Sequence, residues 1–209
     1  MTAAPITTAP TATALSRIHP KRAALGVFLI FLADQLSKWW IVECVIKPEV
    51  MPMTKPATSI PFLQWLTMAG DQMPFAKLEV LPFFNIVMVW NKGVSFGLFS
   101  QHGNDWGPLF LILFSSVIVC VFSVWLLQTR RVPVALSLIM VIGGALGNIV
   151  DRVRFGAVAD FLDFHVMGWH WPAFNLADSA ITLGIVLLLV DGLFFEAKDL
   201  KKKKETVSS

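Results

Sequence analysis

Cysteine and charge are the two things this chain has little of. Only two of the 209 residues are cysteine. Cys44 and Cys120 lie in different apolar runs with no partner at a metal or redox spacing, so neither a disulfide framework nor a thiolate metal centre is expected, and both are assigned to packing or lipid contact. Charged residues make up 15% of the chain, well below the quarter or so usual in soluble domains. No internal repeat is visible, and nothing resembles the paired interrupted helices of inverted-repeat transporters.

What fills the space is apolar. Hydrophobic residues reach 56% and the mean hydropathy is +0.67, which reads as an integral membrane α-helical protein. Four segments approach the roughly 20 apolar residues that cross a bilayer: about 23–46, 107–127, 133–150 and 176–195. The Ala, Thr and Pro-rich residues 1–22 read as a disordered cytoplasmic lead. Asp34 and Lys38 interrupt the first run and no small-residue cleavage site follows, which favours an uncleaved signal anchor. Arg17, Lys21 and Arg22, then Arg130 and Arg131, then Lys198 and the lysine run at 201–204 fall on one side, which the positive-inside bias makes cytoplasmic. Both termini are then inside, residues 23–198 form one domain, and 199–209 form a basic tail suited to anionic phospholipid rather than nucleic acid.

Two segments face outward. The first, about 47–106, begins with five prolines in an irregular or partly helical insertion, then turns β-rich in "LEVLPFFNIVMVWNKGVSFGLF", where strands with a turn near Asn91–Gly93 predict a small extracytoplasmic sheet. The second, 151–175, is short, and Trp169 and Trp171 mark the headgroup level.

Ionisable side chains inside a span need a partner or a task. Asp34 and Lys38, four apart, can neutralise each other, either merely to make burial tolerable or in support of a site. Gly143 and Gly147, like Gly144 and Asn148, are four apart and permit close helix contact. Asn148, Asp151 and Arg152 project from the outer end of the third span, where Arg152 either braces Asp151 or offers its donor fork to a peptide carbonyl. Asp160 follows in a short extended segment, and Asp163, one helical turn or one strand step further on, reads as merely solvated.

At the start of the fourth span "WPAFNLADSAI" admits two readings. Asn175 and Asp178 suit a capping box with no further role. Alternatively, the loop brings Asp160 and Asp178 to one membrane depth, where two neighbouring carboxylates share a proton and divide the work of base and acid on a bound water. A metal site of Asp160, Asp163, His165 and His170 has no recognised ligand spacing. Ser95 lacks the Gly-x-Ser-x-Gly surroundings of a nucleophile turn. A rival from another class is a small transporter component that passes protons or cations along Asp34, Asp151, Asp160 and Asp178.

Taken in order, "DQLSK", "NKGVSFGLF", "GNIVDR" running into "VADFLDF", and "FNLADS" resemble the motif series of the bacterial lipoprotein signal peptidases, the signal peptidase II family. The likeness runs over about 31–190. It implies an intramembrane aspartic peptidase of the inner membrane, with four transmembrane helices, an outward β-cradle and an active site toward the periplasmic face. Such an enzyme removes the signal peptide of a prolipoprotein just before the cysteine that carries diacylglycerol. The resemblance assigns the catalytic pair to Asp160 and Asp178 and supporting roles to Asp34, Lys38, Asn91, Gly93, Asn148, Asp151, Arg152 and Asn175. It implies no metal or cofactor, and it names as partners diacylglyceryl prolipoprotein, membrane phospholipid and globomycin-type cyclic peptides. Ser95 and Ala159 depart from the family's usual Ala and Val, and the insertion between Lys38 and Asn91 is longer than the family pattern. That insertion, around "FLQWLTM", is expected to extend the cradle, lie on the membrane or bind a partner.

Overall fold

The computed structural model of the protein describes residues 18–50, 59–70, 72–93 and 106–196. The lead up to residue 17, part of the insertion at 51–58, Ser95 with the rest of "VSFGLF", and the lysine run at 201–204 lie outside the described residues.

Helix α1, Pro20–Trp39, starts with Pro20 in the first turn, where its missing N–H costs nothing, and with the Nδ1 of His19 accepting from the backbone N–H of Lys21 at 3.2 Å. It runs on through a π-helical segment, Trp40–Ile46, into α2, Lys47–Val50. A short helix in the insertion, α3 (Phe62–Thr67), precedes strands β1 (Ala76–Leu81) and β2 (Phe84–Asn91). Then come α4 (Gly107–Gln128) and α5 (Val132–Phe155), strands β3 (Val158–Val166) and β4 (Trp169–His170), and α6 (Leu176–Asp191). Among the described residues four helical stretches are long and apolar enough to cross a membrane: Pro20–Val50, Gly107–Gln128, Val132–Phe155 and Leu176–Phe194.

Helix α5 is the hub, with α1, α4 and α6 all packed on it. Its glycines permit this. A Cβ on Gly144 would stand 2.5 Å from the carbonyl oxygen of Ala177, and one on Gly143 would stand 2.6 Å from the Cβ of Ile30, so only glycine admits α6 and α1 this close. By contrast α4 leaves most of its apolar surface uncovered by the other described residues, with Phe110, Leu113, Val117, Val121 and Val124 all exposed. Cys44 and Cys120 are also exposed.

The four strands form one antiparallel sheet in the order β1-β2-β3-β4. It joins strands from both outward segments, and its β1–β2 turn lies at Pro82 and Phe83 rather than near Asn91–Gly93. Proline suits a turn because its ring presets φ, whereas Asn91 is still paired with Val158 at the end of β2. A register shift between Ile86 and Val89 brings Val89 opposite Asp160. Ile41, Val42 and Ile46 of the lengthened first helix pack with Ala76, Met88, Ala159 and Phe161, which seats the sheet on the C-terminal end of that helix.

The described part of the insertion folds back on this end of the bundle. The indole N–H of Trp39 donates to the carbonyl of Ile60 at 2.7 Å, and buried Glu43 accepts from Lys47 and from the N–H of Ile60. The indole of Trp90 donates to the carbonyl of Met73 at 2.9 Å.

Candidate active site

The site grows from the place where α1, α5, β3 and α6 meet. On α1, Asp34, Gln35 and Lys38 are fully buried. Lys38 Nζ lies 2.8 Å from Asp34 Oδ2 and 2.7 Å from Asp151 Oδ2, and it donates to Asn148 Oδ1 at 3.3 Å. The helical spacing of Asp34 and Lys38 thus does produce an ion pair, which α5 extends to a triad. Asp151 takes its charge partner from Lys38; Arg152 donates instead to the carbonyl of Asn148 at 3.3 Å. The reason is helical geometry: Asp151 and Arg152 are adjacent and diverge by about 100° around α5.

The other oxygen of Asp34, Oδ1, accepts from the backbone N–H of Ala177 at 3.0 Å, in the first turn of α6. A Cβ on Gly147 would run into Asp34 Oδ2, so this carboxylate can reach α6 only past a glycine. The first turn of α6 is a complete capping box. The side chain of Asn175 accepts from the N–H of Asp178 at 3.0 Å, and Asp178 Oδ2 accepts from the N–H of Asn175 at 3.2 Å. Capping does not exhaust either residue. The amide of Asn175 donates to Asp160 Oδ1 at 2.7 Å, and the amide of Asn148 donates to Asp178 Oδ1 at 2.8 Å.

Asp160, on β3, is 1% exposed, with its second oxygen accepting from Asn91 Nδ2 at 2.9 Å. Asn91 is itself fixed by the N–H of Gly93, which donates to its Oδ1 at 2.7 Å; Gly93 has φ 101°, a conformation open to glycine. Burial, and next the negative charge of Asp178, push the Asp160 carboxyl up to about 7, against the pull of the Asn91 and Asn175 hydrogen bonds and of Lys38. All the residues named from the sequence for this site therefore converge. Such a cluster can hold a proton on one carboxyl and a negative charge on the other.

A family model described as signal peptidase (SPase) II matches residues 26–194. The chain belongs to the signal peptidase II family. It is 43% identical over 130 residues to a lipoprotein signal peptidase of Anaplasma phagocytophilum, a match covering 61% of this chain and 76% of that one. It is 45% identical over 122 residues to the lipoprotein signal peptidase of Burkholderia thailandensis, covering 56% and 71%. A bacterial membrane enzyme solved by the in meso method at 2.3 Å superposes with a TM-score of 0.59 at 25% identity, over 88% of this chain and 93% of that one. A second, solved at 1.9 Å, gives 0.60 at 22% identity over 87% and 98%, which speaks for the fold alone. As a member of that family the chain is a membrane peptidase, and the transporter reading is not favoured.

Two side chains of this region, Gln35 and Arg154, are not singled out by the sequence, and a third, Asp163, is placed differently from its sequence reading. Gln35 donates to Asp151 Oδ1 at 3.0 Å and to Asp34 Oδ2 at 3.1 Å, tying both acids of the lysine triad. Its place inside "DQLSK", beside an acid in an apolar run, was the available signal. Arg154 donates to Gln35 Oε1 at 3.3 Å, to the carbonyl of Met68 at 3.0 Å and to the carbonyl of Trp65, and its guanidinium lies 4.2 Å from the Trp65 ring centroid. No sequence signal links Arg154 to residues almost ninety positions earlier. Asp163 is not solvated. It is buried, accepting from Asn85 at 2.8 Å and bonded to His170 Nδ1 at 2.8 Å. Burial pushes its carboxyl up, but these two partners outweigh it and hold it below its ordinary value. Among the described residues no three His, Cys, Asp or Glu side chains converge as a metal site would need.

Proposed function

We propose that this peptidase cleaves diacylglyceryl-modified prolipoproteins before the lipidated cysteine, with Asp160 and Asp178 as its catalytic pair. The observation that carries this reading is the junction at Asn175, whose one side chain caps the helix at Asp178 and donates to Asp160. Asp160 holds the shared proton of the pair, and Asp178, at the positive end of α6, serves as the base. A water between them gives a proton to Asp178 as its oxygen attacks the scissile carbonyl carbon, and Asp160 donates a proton to the carbonyl oxygen. Collapse of the tetrahedral diol returns a proton to Asp160, and Asp178 protonates the leaving nitrogen as the C–N bond breaks. The buried Nε–H of Arg152 has no hydrogen-bond partner among the described residues and is suited to a substrate carbonyl.

The setting is the bacterial inner membrane, with both termini cytoplasmic by the distribution of Lys and Arg and the site toward the outer face. A diacylglyceryl group held in the outer leaflet brings its scissile bond to the level where α6 starts, which water reaches easily. A globomycin-type cyclic peptide would compete for the same cleft. The test is cleavage of a lipidated precursor in detergent by Asp160→Asn and Asp178→Asn, made separately. Each should lose more than about a thousandfold in turnover, and near wild-type turnover in either would remove that residue from the pair.

A further inference from the structure

Two concavities, one at the end of the bundle away from Asp160 and Asp178 and one along its side, are unused by the catalytic reading. The first, about 840 Å³, opens where α1 and α5 begin and α4 ends. Among the described residues its lining includes Lys21, Arg22, Arg130 and Arg131 and no acidic side chain. Arg131 is paired with Asp191 at 2.8 Å, while Lys21, Arg22 and Arg130 are exposed. The N-terminal turns of α1 and α5 at its rim add the positive ends of two helix dipoles.

The second concavity, about 370 Å³, is almost wholly apolar and runs along the side of the bundle between α1 and α4. Its walls include Val27 and Phe31 of α1 and Val119 and Leu126 of α4, and its floor is Ile142 and Leu146 of α5. The two spaces meet in the first turn of α1, where Pro20 and Ala23 line the groove and Lys21 and Arg22 line the basic end. From Pro20 to Phe31 the groove rises about 17 Å, near half of the roughly 30 Å hydrocarbon thickness. A cationic basin at the membrane surface that continues into a groove one leaflet deep fits an amphiphile with an anionic head. A substrate signal helix fits it poorly, because its positively charged leading segment would meet the same cations.

We propose that this continuous site binds an anionic phospholipid, with its phosphate among Lys21, Arg22 and Arg130 and one acyl chain between α1 and α4. The site is independent of the catalytic assignment. The experiment is native mass spectrometry of the full chain in detergent, with dioleoyl phosphatidylglycerol or dioleoyl phosphatidylcholine added, and with glycerol phosphate as the free anion. The wild type should retain phosphatidylglycerol over phosphatidylcholine, and each of Lys21→Gln, Arg22→Gln and Arg130→Gln should lower that retention about fivefold. Ala24→Trp, which fills the groove, should weaken retention while leaving the basic end intact. Thermal unfolding of each variant, read alongside, reports that the chain is folded. Equal retention of both lipids by the wild type would overturn the proposal. So would selectivity lost on neutralising Lys201–Lys204 but not the three basin residues, glycerol phosphate bound as strongly as the lipid, or an Ala24→Trp variant that binds as the wild type does.

Discussion

Two pairs of carboxylates sit side by side in this bundle, and they are treated in opposite ways. Asp34 and Asp151 are clamped by Lys38, with one oxygen of each within 2.8 Å of the ammonium, and Gln35 donates to both acids. Asp160 and Asp178 are held by the amides of Asn91, Asn148 and Asn175 and by backbone N–H. The ammonium gives both buried carboxylates a counter-charge within hydrogen-bond reach. Amides orient a carboxylate without neutralising it, so the negative charge of one acid still raises its neighbour. The first pair also reaches the first turn of α6 through the N–H of Ala177, and the second is the pair proposed to carry the proton chemistry.

Removing the cation should break the contrast most violently. Lys38→Met leaves Asp34 and Asp151 buried without their counter-charge, and we expect a loss of about 3–5 kcal/mol in stability, read as a lower unfolding temperature in detergent. A variant as stable as the wild type would mean that the triad is not what holds α1 to α5.

Next in size is the titration of the second pair. The Asp160 carboxyl sits at about 7, against an ordinary value of 3.8, so between these limits the folded state binds more protons than the unfolded one. Its contribution is therefore fully favourable below about pH 4 and is lost as pH rises through 7, and turnover should fall over the same upper limb as the shared proton leaves. Asp178→Asn removes the neighbouring charge and should move the Asp160 carboxyl band in infrared difference spectra to a lower titration midpoint. An unchanged midpoint would show that the two acids do not feel each other.

Smaller again is the effect of Arg154→Ala, which frees Gln35 and two carbonyls of the insertion. A cost of about 1–2 kcal/mol is expected in thermal unfolding, and full stability in Arg154→Lys would count against the planar, stacked geometry as the reason. The least disturbance is predicted for Asp163→Asn. Asp163 is three residues from Asp160 on β3 and so points to the opposite face of the strand. Turnover on a lipidated precursor should stay within about twofold of wild type. A large loss would place Asp163 in the reaction.

Much of this was legible in the residues themselves. Polar side chains are costly in an apolar span, so Asp34, Lys38, Asn148 and Asp178 stood out against their neighbours, and the spacing of Asn175 to Asp178 wrote a capping box. The β-rich run after the insertion announced a sheet, though not its turn, because Pro82 and Asn91–Gly93 are both acceptable turn chemistry and only pairing across the sheet separates them. The insertion was the least legible part. Trp65 is buried while Leu63 two positions earlier is exposed, and six helical residues carry too little periodicity to predict which face packs.

By itself the sequence determined the four apolar spans, the i to i+4 pair on the first of them and the cap that opens the last, since each follows from short-range spacing along one helix. The tertiary structure alone decided that Lys38 serves Asp151 as well as Asp34, that Asn175 reaches Asp160, and that Arg154 ties the insertion to Gln35. Those contacts join residues on different helices and strands, and the distances between them depend on how closely α1, α5 and α6 approach over glycine. No periodicity along a single segment carries that information.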